Sequence, residues 1–301
     1  MASCSGKVAF ITGASRGIGR AIARRFSAEG AAVVLSASRL GSHGKLKGTL
    51  EDAVAEIEAH GGRAAAVAAD LSDAAARGGL FSRAEEAFGP IDILVNNAAG
   101  ARMKLPSQAT LEDRNFMFEL NVNAPVDLAQ QAILSMRARG GSGGKGDRGA
   151  GERGEGNRGG WILNISSATS FQPALPYRDS QTAALVIGPY GATKAALDRY
   201  TLALAHEVAE DEIFVNALAP TAIVLTQGAD YVREIGRRNP DMVEPVEMMA
   251  EAALELCTGR HVGRVTFSRD IVHAVGRKVR SLDGKKILGN AFLEADIEAT
   301  A

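Results

Sequence analysis

The chain has 301 residues, enough for one large α/β domain or two small ones with a sizeable buried core. Hydrophobic residues make up 46% and charged residues 23%, and the net charge of -1 gives no reason to expect nucleic acid or an anionic membrane as a partner. The two cysteines exclude a disulfide framework or a cysteine-rich zinc site, and no run is long and apolar enough to span a bilayer. We therefore expect a cytoplasmic protein.

Apolar runs and helical patterns alternate along the chain. Seven runs are typical of strands: KVAFITG, AAVVLSAS, RAAAVAAD, PIDILVNNA, GWILNISS, DEIFVNALAP and GRVTFS. Between them, GIGRAIARRFSAEG, TLEDAVAEIEAHGG and DAAARGGLFSRAEEAF indicate helices, and TLEDRNFMFELNVNAPVDLAQQAILSMRAR indicates a long one. Apolar strands separated by helices predict a parallel sheet covered on both faces. The predicted fold is one doubly wound Rossmann domain over residues 1–301.

Two segments interrupt this alternation. Residues 140–160 contain eleven glycines and no apolar side chain larger than Ala150, so we expect a flexible loop inserted before the fifth strand. Their Arg-Gly pairs resemble RNA-binding tracts. However, three acidic residues offset four basic ones and no aromatic side chain is present to stack on a base, which argues against RNA. Residues from about 171 to 188 predict a second loop.

A glycine-rich turn, TGASRGIG, runs from Thr12 to Gly19 between the first strand and the first helix. Gly13 permits the tight turn, Gly17 lets a pyrophosphate approach the backbone, and Gly19 lets the helix pack closely on the strand. The helix N-terminus offers free N–H groups and the positive end of its dipole to phosphates. This placement predicts a dinucleotide site, the alternative being a plain glycine-rich turn.

The second strand indicates which dinucleotide is bound. An acid at its end would accept hydrogen bonds from the ribose hydroxyls of NAD and would repel a 2′-phosphate. The residues that follow VVL are instead Ser36, Ala37, Ser38 and Arg39. Ser38, Arg39 and Arg16 are donors that suit a 2′-phosphate. NADP(H) is therefore the predicted cofactor, with NAD(H) as the alternative if both arginines are only solvated.

Tyr190 and Lys194, in YGATK, are four residues apart and share one face of a predicted helix. A free phenol has a pKa of about 10, and a nearby ammonium favours the phenolate and lowers that pKa. A second tyrosine, Tyr177, also follows a proline, but the residue four positions later is Gln181, which carries no charge. The spacing therefore predicts that Tyr190 donates or accepts the proton, with Lys194 as its partner.

Several motifs, in this order, resemble the classical short-chain dehydrogenase/reductase family over nearly the whole chain. They are TGASRGIG, the Asp70-Leu71 pair, NNAAG, Asn121, the serine pair of NISSATS, YGATK and NALAP. GKLKGTLEDAVAEIEAHGG, NALAPTAIVLT and GRVTFSRDIV are similar to its hydroxysteroid dehydrogenase-like subgroup. The resemblance implies an NAD(P)-dependent oxidoreductase that transfers hydride between nicotinamide and a small carbonyl or alcohol substrate. It also implies a homotetramer or a homodimer.

The resemblance assigns four catalytic residues: Tyr190, Lys194, Ser167 and Asn121. A serine hydroxyl at the end of the fifth strand would bond the substrate oxygen and stabilise the charge that develops there. Ser166 is then a structural neighbour of Ser167. Asn123 is the rival of Asn121 if the register slips by two residues.

The same comparison implies contacts of Asp70 with the adenine, of Asn96 with the nicotinamide side, and of Thr226 with a phosphate oxygen. The full predicted cofactor-binding set is Gly13, Ser15, Arg16, Gly17, Ile18, Gly19, Ser38, Arg39, Asp70, Leu71, Asn96, Ala98, Tyr190, Lys194, Pro220, Ile223 and Thr226.

The chain departs from the family pattern in three places. Ser167 and Tyr190 are 23 positions apart, farther than is usual, so the loop that holds Tyr177 is expected beside the substrate cleft. Thr221 replaces a glycine common after NALAP, and SRDIVHAVG replaces a glycine-rich end after the last strand. Whether Tyr177 touches the substrate stays open.

Other chemistries fit the sequence less well. No spacing of His, Cys, Asp and Glu suggests a metal site, and NISSAT lacks the flanking glycines of a serine hydrolase's nucleophile turn. The alternative function is a nucleotide-binding regulatory protein of the same fold that has lost catalysis. The presence of all four residues of the catalytic set argues against it.

Overall fold

A computed structural model describes residues 3–42, 47–139, 159–171, 184, 188–227, 233, 236–238 and 240–289. Its strands form one parallel sheet in the order β3-β2-β1-β4-β5-β6-β7. They are β1 (Val8–Thr12), β2 (Ala32–Ala37), β3 (Arg63–Ala68), β4 (Ile93–Asn96), β5 (Gly160–Ile165), β6 (Ile213–Ala219) and β7 (Val265–Phe267). The predicted seven-stranded, doubly wound sheet is confirmed.

Helices pack on both faces of this sheet. They are α1 (Gly17–Ala28), α2 (Leu50–Ala59), α3 (Ala74–Arg77), α4 (Leu80–Phe88), α5 (Leu111–Phe118), α6 (Ala124–Arg139), α7 (Pro189–Glu207), α8 (Val246–Leu256) and α9 (Ser268–Ala274). The predicted threonine cap begins α2: the Thr49 hydroxyl accepts the N–H of Asp52 over 2.9 Å, and the Asp52 carboxylate accepts the N–H of Thr49. This reciprocal pair satisfies backbone donors that the first helical turn leaves unpaired.

Two apolar clusters form the core, one on each face of the sheet. Along β1, Ala9 and Ile11 pack into the cluster that includes α1, α2 and α8, whereas Val8 and Phe10 pack into the cluster that includes α4 and α6. Successive strand residues point to opposite faces, so a strand covered on both sides must be apolar throughout. This explains the unbroken apolar run in the sequence.

Two predicted helices are divided. DAAARGGLFSRAEEAF forms α3 and α4 because Gly79 adopts a left-handed backbone (φ +68°) between them. The long helix after residue 110 is continuous from Leu111 to Arg139, but it contains a π-helical turn, Glu119–Asn123, between α5 and α6. Such turns re-aim side chains within a helix and are frequent at functional sites.

The predicted loop at 140–160 ends earlier than expected, since Gly160 is the first residue of β5. Residues 140–158 lie outside the described residues, as do most positions between 171 and 188, including Tyr177. None of the helices that the structure describes has the length and apolar character needed to cross a membrane.

The sheet places the predicted site residues at one edge. The strand order runs outward in both directions from the β1–β4 pair, so a crevice opens outside the carboxyl ends of these two strands. The glycine-rich turn follows β1, NNAAG follows β4 and the serine pair follows β5. The same edge therefore receives the nucleotide motif and the candidate catalytic groups.

Candidate active site

The glycine-rich turn forms a cradle into which side chains do not fit. Gly13 and Gly17 have left-handed backbones, with φ of +64° and +58°. A methyl group on Gly19 would lie 2.5 Å from the amide nitrogen of Asn97 and 2.6 Å from the carbonyl oxygen of Gly13. The exposed N–H groups at the start of α1 border this cradle, which fits the pyrophosphate of a dinucleotide.

Asn97 and Thr12 brace this turn, a role that the sequence did not indicate. The Asn97 amide donates to the carbonyl oxygens of Thr12 and Gly13 over 2.9 and 3.1 Å. The Thr12 hydroxyl accepts the N–H groups of Asn97 and Ala98, each over 3.0 Å. The turn after β1 and the turn after β4 are thus locked together, with Ala98 held at the crevice. The doubled asparagine of NNAAG was the available signal.

Candidate 2′-phosphate donors lie at the end of β2 and in the glycine-rich turn. Ser38 and Arg39 are exposed, and Arg16 is half-buried. The Nη1 atom of Arg16 is buried and has no hydrogen-bond partner among the described residues. The N–H of Ala14 donates to the Ser36 carbonyl over 3.0 Å and ties the turn to β2. A buried, unpaired guanidinium donor beside the cradle fits an anion.

Two other residues of the turn differ in exposure. Ser15 is buried and Ile18 is half-buried. A methyl group on Gly48 would lie 2.8 Å from the Ser15 carbonyl oxygen, so the segment before α2 lies against the turn.

Asp70 and Asn96 point in different directions. Asp70 is exposed after β3, where its carboxylate accepts the N–H and the hydroxyl of Ser72 over 3.0 and 2.7 Å, while Leu71 is buried. The Asn96 side chain is buried and donates to the oxygens of Asn164 and Pro125 over 2.9 and 3.2 Å. Its amide therefore faces the protein interior.

Tyr190 and Lys194 lie on one face of α7, as the spacing predicts. Lys194 is 2% exposed, and its Nζ lies 5.9 Å from the centre of the Tyr190 ring. The ammonium donates to the carbonyl oxygen of Ile165 over 2.7 Å. Burial lowers the pKa of Lys194 to about 8, and the nearby Asp198 carboxylate opposes that change. The Lys194 ammonium thus places a positive charge near the Tyr190 phenol, in a site shielded from water.

Asp198 lies one turn beyond Lys194 and is also buried. Burial raises the pKa of this carboxyl, while the hydroxyls of Ser166 and Ser170 and the charge of Lys194 lower it. The sequence analysis missed Asp198, although its position four residues after Lys194 on one helix was a usable signal.

The serine pair lies against the first turn of α7. Ser167 caps a short 3-10 turn, and its oxygen lies 3.0 Å from the Thr169 hydroxyl. A methyl group on Gly191 would lie 2.9 Å from the Thr169 carbonyl oxygen, so the turn contacts α7 directly after Tyr190. Ser166 is buried, whereas Ser167 is half-buried. This exposure favours Ser167 as the serine that meets a substrate.

Asn121 occupies the π-helical turn and is fully buried. Its amide oxygen accepts the N–H of Gly100, and its nitrogen donates to the Gly100 carbonyl, both over 2.9 Å. The same nitrogen lies 3.1 Å from the hydroxyl of Thr193, between Tyr190 and Lys194 on α7. Asn123 is exposed and donates to Glu119. Of the two asparagines, Asn121 therefore contacts α7.

The segment after β6 reaches back to the cradle. Pro220, Ile223 and Thr226 are half-buried, and the Cβ of Thr226 lies 3.3 Å from the place a methyl on Gly17 would occupy. Thr226 thus borders the crevice on the side that faces the glycine-rich turn. Within the described ranges, no three His, Cys, Asp or Glu side chains form a cluster that could hold a metal ion.

Comparison with known proteins agrees with this geometry. The family model described as short chain dehydrogenase matches residues 7–235. The chain belongs to the short-chain dehydrogenase family. It is therefore an NAD(P)-dependent oxidoreductase that acts between alcohol and carbonyl groups, and the comparisons give no support to a regulatory protein without catalysis.

Relatives within this family cover most of the chain. An uncharacterized oxidoreductase of Methylorubrum extorquens is 36% identical over 76% of this chain and 77% of its own length. A hydroxysteroid dehydrogenase-like protein 2 of Danio rerio is 30% identical over 98% of this chain, which spans 65% of that relative. The solved structure of L-sorbose reductase from Gluconobacter frateurii with NADPH and L-sorbose is 31% identical, with a TM-score of 0.70 over 89% of this chain and 97% of that one.

Proposed function

We propose that this short-chain dehydrogenase is an NADP(H)-dependent carbonyl reductase or secondary alcohol dehydrogenase. The observation that carries the proposal is the placement of Tyr190 and a buried Lys194 on one face of α7, beside the Ser167 turn. A nicotinamide cofactor held in the crevice would provide the hydride chemistry at the substrate carbon. The protein's own side chains transfer the proton and stabilise the charge on the substrate oxygen.

Tyr190 is the proton donor in reduction and the proton acceptor in oxidation. The positive charge of Lys194 favours the phenolate, and its bond to the Ile165 carbonyl keeps the ammonium in place. The Ser167 hydroxyl donates to the same substrate oxygen and stabilises negative charge there. Asn121 acts indirectly, because its amide joins Gly100 to Thr193 and so holds α7 against the β4 turn.

The preference for NADP(H) rests on charge at the end of β2. Ser38 and Arg39 are exposed there, no acid follows the strand, and Arg16 has a buried guanidinium nitrogen without a partner in the described part of the chain. These groups suit a 2′-phosphate and leave the ribose hydroxyls of NAD without a carboxylate acceptor. Two related structures support this choice. One, described as an NAD(P)-dependent gluconate 5-dehydrogenase from Beutenbergia cavernae, contains NADP at low occupancy, and the L-sorbose reductase contains NADPH.

The proposal extends to substrate and assembly. The substrate is a small carbonyl or alcohol compound, and the active form is a homotetramer or a homodimer in the cytoplasm. The free, buried thiols of Cys4 and Cys257 support a reducing compartment.

The test follows NADPH and NADH absorbance over a panel of ketones, aldehydes and alcohols, with Tyr190→Phe, Tyr177→Phe and wild type in parallel. We expect turnover with NADPH that Tyr190→Phe abolishes and Tyr177→Phe retains. The reverse pattern would overturn the assignment of the proton donor. Failure of the wild type to bind either dinucleotide in a fluorescence titration would overturn the proposed function itself.

A further inference from the structure

The segment Pro220–Thr226 leaves the end of β6 and borders the crevice. Its middle is pinned by a short parallel bridge between Ile223 and Val243. The Ile223 N–H donates to the Met242 carbonyl over 2.8 Å, and the Glu244 N–H donates to the Ile223 carbonyl over 3.0 Å. The chain just before α8 therefore determines where this segment lies.

Glu244 also holds the segment through its side chain, which is 1% exposed. The Ser268 hydroxyl lies 2.9 Å from each of its two carboxylate oxygens. The Ser268 oxygen in turn accepts the backbone N–H of Thr221 over 3.2 Å. One buried acid thus joins the segment after β6 to the first residue of α9.

Two departures from the family pattern meet at this acid. The Thr221 hydroxyl lies 3.2 Å from the Ser268 hydroxyl and accepts the N–H of Arg269 over 3.2 Å. Thr221 stands where a glycine is common, and Ser268 opens the segment that replaces the usual glycine-rich end. With Glu244 they form one polar cluster, which we call the Glu244 cluster.

Burying the charged Glu244 carboxylate lowers the stability of the fold. Burial raises the pKa of the Glu244 carboxyl to about 7, although the Ser268 hydroxyl, the Arg269 charge and the nearby backbone N–H groups of Thr221 and Ala222 favour its charged form. The charged group that faces it is the Arg269 guanidinium of α9, whose Nε lies 3.7 Å from one carboxylate oxygen. A glutamine of the same shape would avoid the charge penalty. A buried acid that lowers stability and contacts the segment at the crevice points to a role there.

We infer that Glu244 is a positioning residue for the cofactor: through Ser268, which binds Thr221, and through its own N–H bond to Ile223, it fixes Pro220–Thr226 in the conformation that contacts the dinucleotide. This inference rests on the proposed function, because it assigns the segment to the cofactor. Both carboxylate oxygens lie within hydrogen-bond distance of the Ser268 hydroxyl, whereas a glutamine would offer an amide nitrogen, which is a donor, in place of one of them.

The first experiment needs no cofactor. Hydrogen exchange of the peptide covering residues 220–227 is compared in wild type, Glu244→Gln and Ser268→Ala. The control is Asp270→Asn, a substitution of an exposed acid on α9, the helix that begins at Ser268. We expect this peptide to exchange at least about fivefold faster in Glu244→Gln and Ser268→Ala, and at the wild-type rate in the control. Unchanged exchange in both variants overturns the inference, whatever the protein binds.

The second experiment measures NADPH affinity by fluorescence titration, together with melting temperature, at pH 8. We expect Glu244→Gln to bind NADPH roughly tenfold more weakly while its melting temperature equals or exceeds that of wild type, because a buried charge has been removed. A purely structural role predicts that both fall together, or that affinity is unchanged, and either result overturns the inference. Absence of NADPH and NADH binding in wild type would instead reject the proposed function, leaving the exchange result to stand by itself.

Discussion

The Lys194 ammonium donates a 2.7 Å hydrogen bond to the carbonyl oxygen of Ile165, the last residue of β5. This bond ties α7 to the strand that carries Ser166 and Ser167. It also places a positive charge in a shielded site, where it favours the Tyr190 phenolate but is costly to bury. Function and stability therefore oppose each other at this lysine.

Lys194→Met is expected to separate these two effects. The folded pKa is about 8 and lies below the ordinary value of 10.5. The charge penalty, on the order of 3 kcal/mol, is thus fully present below pH 8 and fades as the pH rises toward 10.5. Loss of the bond to Ile165 offsets about 1 kcal/mol. Thermal unfolding should therefore show the variant about 1–2 kcal/mol more stable at pH 7 and no more stable at pH 10, with turnover at least about a hundredfold lower.

Lys278→Met, a change at an exposed lysine, is the control and should alter neither quantity. A Lys194→Met protein that is less stable than wild type at pH 7 would contradict this account of the buried charge.

Asp198→Asn tests how the lysine keeps its proton. The Asp198 carboxylate raises the pKa of Lys194 against the effect of burial. Without that charge the pKa should fall further, so the ammonium is lost at lower pH. The alkaline limb of kcat/KM against pH should then move down by roughly one unit. Glu207→Gln, at an exposed acid on the same helix, should leave the limb in place. An unmoved limb in Asp198→Asn would show that Asp198 does not control the lysine.

Arg39→Ala is expected to change cofactor choice. A charge-assisted bond from Arg39 to a 2′-phosphate is worth about 1.5–3 kcal/mol, so NADPH should bind roughly ten- to a hundredfold more weakly. NADH, which lacks that phosphate, should bind with nearly unchanged affinity. Fluorescence titration with both dinucleotides measures the ratio, and Arg83→Ala, at an exposed arginine on α4, is the control. An equal loss of affinity for both dinucleotides would show that Arg39 contacts a part of the cofactor that both share, and not the 2′-phosphate.

The sequence predicted the features that depend on local spacing. The apolar run of β1 follows from its two covered faces, and the shared face of Tyr190 and Lys194 follows from the helical repeat. It did not predict contacts between chain-distant groups. The acceptor for Lys194 is a backbone carbonyl, which every residue has. The partners of Glu244, Ile223 and Ser268, lie more than twenty residues away in opposite directions.

Gly19→Ala tests the cradle itself. The added methyl would lie 2.5 Å from the Asn97 amide and 2.6 Å from the Gly13 carbonyl. The carbonyl belongs to the backbone, and the amide is held by its bonds to Thr12 and Gly13. Such overpacking lowers the free energy of unfolding by about 1–3 kcal/mol, so the protein should unfold at a lower denaturant concentration. Dinucleotide affinity should fall at least about tenfold. At Gly41 the nearest atom to an added methyl is a carboxylate oxygen of Glu51 at 3.8 Å, so Gly41→Ala is the matched control. Wild-type affinity in Gly19→Ala would show that the turn does not set the cofactor site.

Ser166 and Ser167, which directly follow β5, can be compared through the same substitution at each position. The Ser166 hydroxyl is buried and helps to lower the pKa of Asp198, whereas Ser167 is half-buried on the turn that meets α7. Ser166→Ala should therefore destabilise the fold by about 1–2 kcal/mol and leave kcat within roughly tenfold of wild type. Ser167→Ala should lower kcat by roughly a hundred- to a thousandfold, because a donor to the developing oxyanion is lost, while NADPH affinity stays the same.

Steady-state kinetics and equilibrium unfolding of the two variants decide the assignment. Because the substitutions are chemically identical and adjacent, any difference in kcat reflects where each hydroxyl lies. If Ser166→Ala loses the turnover and Ser167→Ala keeps it, the substrate oxygen meets the buried serine instead. In that case the 3-10 turn after β5 must rearrange when substrate binds, since the Ser166 hydroxyl now lies 3.5 Å from Ser170 beneath that turn.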